Sequence, residues 1–153
     1  MEIQSIEVNT KSISIPDQSV NNKDYTEFDF SRFTSLEELA IGNNSFENVN
    51  RFNIDGLNKL KSLKIGKNSF THLKTDKKHE SIESDPNRSF QVLNCAELKS
   101  IDIGCGSFSD YAGQYELKNL GELVSLKIGE IGSDSSNFYN SSFVVKGSTD
   151  ESS

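Results

Sequence analysis

The chain has no tryptophan, one methionine, two cysteines and two histidines, and nowhere carries a long apolar run. Two cysteines, Cys95 and Cys105, are too few for a disulfide framework. No apolar stretch approaches the roughly 20 residues that a spanning helix needs, so membrane insertion is not expected. The opening residues, MEIQSIEVNTKS, lack the basic region and apolar segment of a secretory leader; a longer parent chain would be free to carry one. Positive charge is short as well: 16 Lys and Arg stand against 23 Asp and Glu, a net charge of −7. An acidic balance without basic blocks disfavours nucleic acid and anionic membranes as partners. Apolar residues make up only 33 % of the chain, with a mean hydropathy of −0.55, which raises disorder as the first possibility. Leu, Ile, Val and Phe nevertheless number 41 in 153, above the level of roughly one fifth that marks a chain unable to build a core.

Periodicity decides for folding. LEELAIGNNSF from Leu36, LKSLKIGKNSF from Leu60 and LKSIDIGCGSF from Leu98 share one frame, and LVSLKIGEIGS from Leu123 follows it. IQSIEVNT from Ile3 reads as a degenerate first copy. A second motif alternates with the first: FDFSRF at Phe28, FNIDGL at Phe52, FQVLNC at Phe90, YELKNL at Tyr115 and FVVKGS at Phe143. The unit is 24 residues from Leu36 to Leu60, 38 to Leu98 and 25 to Leu123. The extra length falls at one corner, as the insert 71–89, with smaller expansions after Ser133 and between Val8 and Phe28. Growth confined to one corner is what a stacked coil permits.

Leu63 and Ile65 point to one side and Lys64 to the other, which makes a short strand with one buried face. Phe52 and Ile54 repeat the pattern around Asn53. Stacking such coils about 4.8 Å apart gives two parallel sheets. The expected columns are Leu36, Leu60, Leu98 and Leu123; Ile41, Ile65, Ile103 and Ile128; and Phe46, Phe70 and Phe108. Gly42, Gly66, Gly104 and Gly129 form another column, expected to take a backbone conformation closed to other residues. They lack the spacing of a phosphate-binding loop. Ser45, Ser69 and Ser107 are expected to bond local backbone in the same turn.

The segments LxxLxIxxN at Leu36 and Leu60, with Asn44 and Asn68 at the Asn position, resemble the leucine-rich repeat. The later copies carry Gly106 and Ile131 there. NCAELKSIDI, from Asn94, is similar to the CxxLxxIxI element of the BspA-like subfamily, and IGxxSF to its IGxxAF. The chain departs from that subfamily in having an FxIxxL strand where an IP-containing segment is usual. The resemblance implies a curved, right-handed solenoid that displays a recognition surface, and cell-surface or secreted placement as part of a longer chain.

The expected architecture is therefore mainly β: one leucine-rich-repeat-type solenoid over 1–153, with about five 24-residue coils and two parallel sheets. The coils fall near 3–33, 36–57, 60–95, 98–120 and 123–147, followed by a disordered tail at 148–153. Neither end reads as a polar cap, so a fragment of a longer array, or end-to-end self-association, is expected.

Outward positions of the first sheet are Ser5, Glu38, Ser62, Ser100 and Ser125, then Glu7, Ala40, Lys64, Asp102 and Lys127. They read either as a solvated charge ladder or as a recognition face. The candidate partner-binding residues are Glu7, Glu38, Lys64, Ser100, Asp102 and Lys127. His72 and His79 join them from the insert, which reads as a protruding surface loop. Two histidines in such a loop do not make the rigid ligand set of a metal site. Cys95 aligns with Phe33, Leu57 and Leu120 and is expected in the core; Cys105 aligns with Asn43 and Lys67, near the sheet edge. No nucleophile, base and orienter come together in the repeat frame, so neither catalysis nor a cofactor is expected. The expected function is a non-enzymatic module that recognises a protein partner; the alternative is a structural or adhesive spacer. Asn43, Asn87 and Asn140 begin glycosylation triplets, which slightly favour export.

Overall fold

The computed structural model describes residues 5–72, 85–130, 135–138 and 143–147. Its strands are β1 (Ser12–Ile15), β2 (Glu27–Asp29), β3 (Glu38–Ile41), β4 (Arg51–Asp55), β5 (Ser62–Ile65), β6 (Ser89–Leu93), β7 (Ser100–Ile103), β8 (Tyr115–Lys118), β9 (Ser125–Ile128) and β10 (Phe143–Lys146). A 3-10 turn, Phe30–Arg32, follows β2. The odd strands form one five-stranded sheet in chain order, here sheet A; the even strands form a second, sheet B. Every pairing is parallel. The chain is thus a mainly β solenoid of about four turns.

Register follows from the repeat. Leu39, Leu63, Ile101 and Leu126 pair along sheet A, as do Ile41, Ile65, Ile103 and Ile128. Each fully buried aliphatic or Phe contributes roughly 1.5–3 kcal/mol. Between the aliphatic columns of the core run two aromatic stacks that meet edge to face. Phe46, Phe70 and Phe108 stack at 4.9 and 4.8 Å with ring planes within 10°. Phe52, Phe90 and Tyr115 stack at 5.0 and 5.6 Å. Phe52 meets Phe70 at 84° and Phe90 meets Phe108 at 70°, the edge-to-face arrangement that aromatic quadrupoles favour.

The first column has a further member that the repeat frame missed. Phe138 stacks on Phe108 at 5.2 Å and shares the left-handed backbone of Phe46, Phe70 and Phe108, with φ of 54° against 56–59°. Its place in the sequence is displaced: ten positions separate Ile128 from Phe138, against five from Ile41 to Phe46, Ile65 to Phe70 and Ile103 to Phe108.

The structure corrects the first coil. β1 is Ser12–Ile15, with Ile13 opposite Leu39 and Ile15 opposite Ile41. The segment from Ile3 supplies no strand among its described residues. Pro16 to Val20 then fills the turn taken by Gly42 to Phe46 in the next coil, and Gln18 and Val20 share the left-handed φ of Asn44 and Phe46. Counted this way the first unit is 26 residues, Ile15 to Ile41, close to the 24 and 25 of the units that carry no insert. The expansion placed between Val8 and Phe28, and a first coil starting at Ile3, came from misplacing that strand.

The glycine column also has a different cause from the expected one. Gly42, Gly66 and Gly104 are not left-handed; of this column only Gly129 is, at 75°. A Cβ on Gly66 would lie 2.7 Å from Gly42 C, and one on Gly104 2.6 Å from Gly66 C and O. Close approach of neighbouring coils, not backbone conformation, excludes a side chain there. The left-handed position comes two residues later, at Asn44, Asn68 and Gly106. Asn and Gly are the residues that tolerate it, which explains why Gly106 stands where two copies have Asn.

The two ends differ. Ile6 and Val20 pack against the core beside the buried Ile13 and Ile15. At the other end, Leu126 is 41 % and Ile128 36 % exposed, although both occupy inward positions, and Val145 is 62 % exposed. No helix among the described residues is long and apolar enough to cross a membrane.

Candidate functional site

Sheet A places most of the expected face as the repeat frame requires. Glu38, Ser62, Ser100 and Ser125 lie in one outward row, and Ala40, Lys64, Asp102 and Lys127 in the next. Lys64, Asp102 and Lys127 are neighbours in register, yet among the described residues they form no ion pair with one another. Glu7 is the exception. It lies in the turn before β1, where its carbonyl accepts from Thr10 N at 3.1 Å. The outward places assigned to Ser5 and Glu7 belong to Ser12 and Ser14. Glu37, next to Glu38, sits off the face between Lys61 (2.9 Å) and Lys11 (3.8 Å). Its hydrogen bond from Lys61 holds its carboxyl below the usual range.

His72 stands at the first foot of the insert. Its Nε2 lies 3.1 Å from Asn48 Oδ1, its Nδ1 4.0 Å from Asp110 Oδ2, and its backbone N–H donates to Asp110 Oδ2. His79, most of the insert, Asn140 and the tail at 148–153 lie outside the described residues. Among those described, no three His, Cys, Asp or Glu side chains come together as metal ligands.

The repeat frame gave no sign of what anchors the insert. Arg88, 1 % exposed, donates from Nη1 to Asp110 Oδ2 at 2.6 Å and from Nη2 to the carbonyls of Glu47 and Val49 at 2.8 and 3.0 Å. Its guanidinium lies 4.7 Å over the Tyr111 ring, and the Tyr111 hydroxyl donates to Val49 O. Burial pushes the Tyr111 phenol above its usual range. Asp85 N donates to Asp110 O, and Gly113 N to Arg88 O. One buried ion pair therefore ties both feet of the insert to the following coil. Arg88 Nε and Asp110 Oδ1 lack hydrogen-bond partners among the described residues. The sequence signal is slight: SFSDY follows the repeat glycine only in the copy after the insert.

A surface depression lies on sheet B. Its volume is 800 Å³, and it is lined by Glu27, Asp29, Arg51, Asp55, Gln91 and Leu93, with Asn53, Ser89 and Gln114 completing its polar wall. These are outward positions of the second motif. In register they form rows: Glu27, Arg51 and Ser89; Asp29, Asn53, Gln91 and Glu116; Asp55, Leu93 and Lys118. The rim is stiffened by amide contacts between coils. Asn94 Nδ2 donates to Asp55 Oδ1 at 2.8 Å, and Asn119 Nδ2 to Asn94 Oδ1 at 2.6 Å. Gly56, Asn94 and Asn119 end their strands in the left-handed region. The alternation of Phe52, Asn53 and Ile54 marked these positions as outward; their shared depression appears only once the strands are side by side.

A regular stack carrying two solvated sheet faces places the chain among β-solenoid repeat proteins. No family model matches it, and no curated protein or solved structure matches it either.

Proposed function

We propose that the chain is a non-enzymatic recognition module, of a leucine-rich-repeat type akin to the BspA-like subfamily, that binds a protein partner through an outward sheet face. The observation that carries this reading is the 800 Å³ depression on sheet B, walled by side chains able to donate and accept hydrogen bonds, of which Asp29 and Asp55 are already bonded to Ser31 N and Asn94 Nδ2. A partner docking there meets groups already held in place by the coil stack, so it loses little free energy ordering them. The charged face of sheet A, with Glu38, Lys64, Ser100, Asp102 and Lys127, is the second candidate surface. Cell-surface or secreted placement belongs to the same proposal.

A structural or end-to-end associating role is the alternative, favoured by the half-exposed Leu126 and Ile128 on β9. Affinity capture with the full chain, followed by calorimetric titration of each purified candidate, separates the two. The recognition reading expects saturable binding at fixed stoichiometry. Concentration-dependent self-association with no saturable partner contradicts it.

A further inference from the structure

The depression on sheet B has an uneven charge layout. Glu27, Asp29 and Asp55 stand around it against one cation, Arg51. Beyond its far side, on β8 and β10, lie Lys118 and Lys146 in the same row as Asp55, with Glu116 one row over. Among the described residues, none of these seven charged side chains forms an ion pair with another. Asp29 and Asp55 are held in place, by Ser31 N–H and by the Asn94 amide. Asn53, Gln91 and Gln114 lie between, with amides that suit the N–H and C=O groups of a peptide backbone. Leu93 offers one apolar contact beside Asp55.

We infer that this face receives an extended peptide segment of a partner protein, running along the stack across the strands. Its basic side chain sits among Glu27, Asp29 and Asp55, and its acidic side chain lies over Lys118 and Lys146. The inference rests on the proposed protein-binding role and adds the chemistry and direction of the partner. Dimensions agree. Five strands span about 19 Å, which about six extended residues cover. Charge complementarity of this kind sets orientation and rejects partners of the wrong sign. Two concave faces of this kind would not mate, which argues against a second copy as the occupant.

The test uses a peptide of about nine residues, with two lysines at one end, two glutamates at the other, and glycine, serine and asparagine between. All-basic and all-acidic peptides of equal length serve as controls. Binding is followed by NMR shifts of the full chain at low salt. The inference expects saturable shifts confined to sheet B, with the dipolar peptide bound more tightly than either control. Glu27→Lys with Asp55→Lys weakens it about tenfold, as several exposed charge pairs together imply, and Lys118→Glu with Lys146→Glu weakens it as well. All four side chains face outward, so unchanged circular dichroism checks that the variants fold. Shifts on sheet A, equal binding of the three peptides, or indifference to both reversals overturns the inference. A dimer dissociated by the same reversals overturns it too, in favour of a second copy. The parent reading fails separately: if captured partners bind sheet-B variants unchanged, only the peptide inference falls, and if no protein binds saturably, the recognition role falls.

Discussion

Gly66→Ala tests the packing of the coils at its tightest point. The added Cβ would lie 2.7 Å from Gly42 C, 2.8 Å from Asn43 N and 2.6 Å from Asn43 Oδ1. Favourable contacts of carbon begin near 3.5 Å, so the two coils must part by most of an ångström. The Asn43 side chain cannot swing aside freely, because its Oδ1 accepts from Lys67 N at 2.7 Å and its Nδ2 reaches Asp17. The same corner holds Gly66 N to Ile41 O and Ser69 Oγ to Gly42 O, both at 2.8 Å. Overpacking costs about 1–3 kcal/mol, and one weakened hydrogen bond adds about 1 kcal/mol. The expected loss is about 2–4 kcal/mol, or roughly 5–15 °C in Tm for a chain of this length. Urea and thermal denaturation followed by circular dichroism measure it. Gly121→Ala is the control, since nothing lies within 4 Å of its Cβ position and its backbone is not left-handed. If Gly66→Ala stays within about 0.5 kcal/mol of the parent chain, the usual range for an uninvolved surface site, the close-approach account of the glycine column is wrong.

Three further outcomes follow from the same geometry. Ser69→Ala leaves the buried Ser45 N without its acceptor and removes the bond to Gly42 O, so denaturant titration should show a loss of about 1–3 kcal/mol. Arg88→Met strands the buried Asp110 carboxylate and should cost about 3–5 kcal/mol, much of it recovered in Arg88→Met with Asp110→Leu; an unaltered single variant would contradict the clamp. Burial pushes the Cys95 thiol up to about 11, so an alkylating reagent at pH 8 should modify the half-buried Cys105 in the native chain and spare Cys95 until it unfolds, as mass spectrometry of the digested protein would reveal.

Much of the architecture was legible because side-chain alternation has a period of two and the coil repeats it. Leu63 and Ile65, or Phe52 and Ile54, can face inward only as strands, and their copies fix the register of both sheets. The first strand was misplaced for a physical reason. Ser12 to Ile15 alternates as cleanly as the later copies, but its turn carries Pro16 and Val20 where they carry Gly and Phe, which hides the motif. Pro16 is compatible with that place because β1 is the edge strand among the described residues, so the N–H that Gly42, Gly66 and Gly104 each donate to the preceding coil has no counterpart there. Ser45, Ser69 and Ser107 are expected to bond local backbone, and Ser45 Oγ and Ser69 Oγ do donate to Asn43 O and Lys67 O in their own turns. The same hydroxyls also join successive coils: Ser45 N donates to Ser69 Oγ, and Ser69 N to Ser107 Oγ, a partner choice that only stacking creates. The candidate site was less legible. Outward positions on sheet B could be counted from the alternation, but the depression is set by which of those side chains come together across β2, β4 and β6. The Arg88–Asp110 pair joins residues 22 apart, one of them inside an irregular insert, and no period announces it.

Which face a partner covers is the central question, and carboxylate footprinting answers it most directly. Carbodiimide coupling of an amine to exposed Asp and Glu is measured by mass spectrometry, with and without a saturating partner. The account predicts that Glu27, Asp29 and Asp55 on sheet B lose reactivity in the complex while Glu38 and Asp102 on sheet A keep theirs. Protection of Glu38 and Asp102 with Glu27, Asp29 and Asp55 still reactive would contradict it.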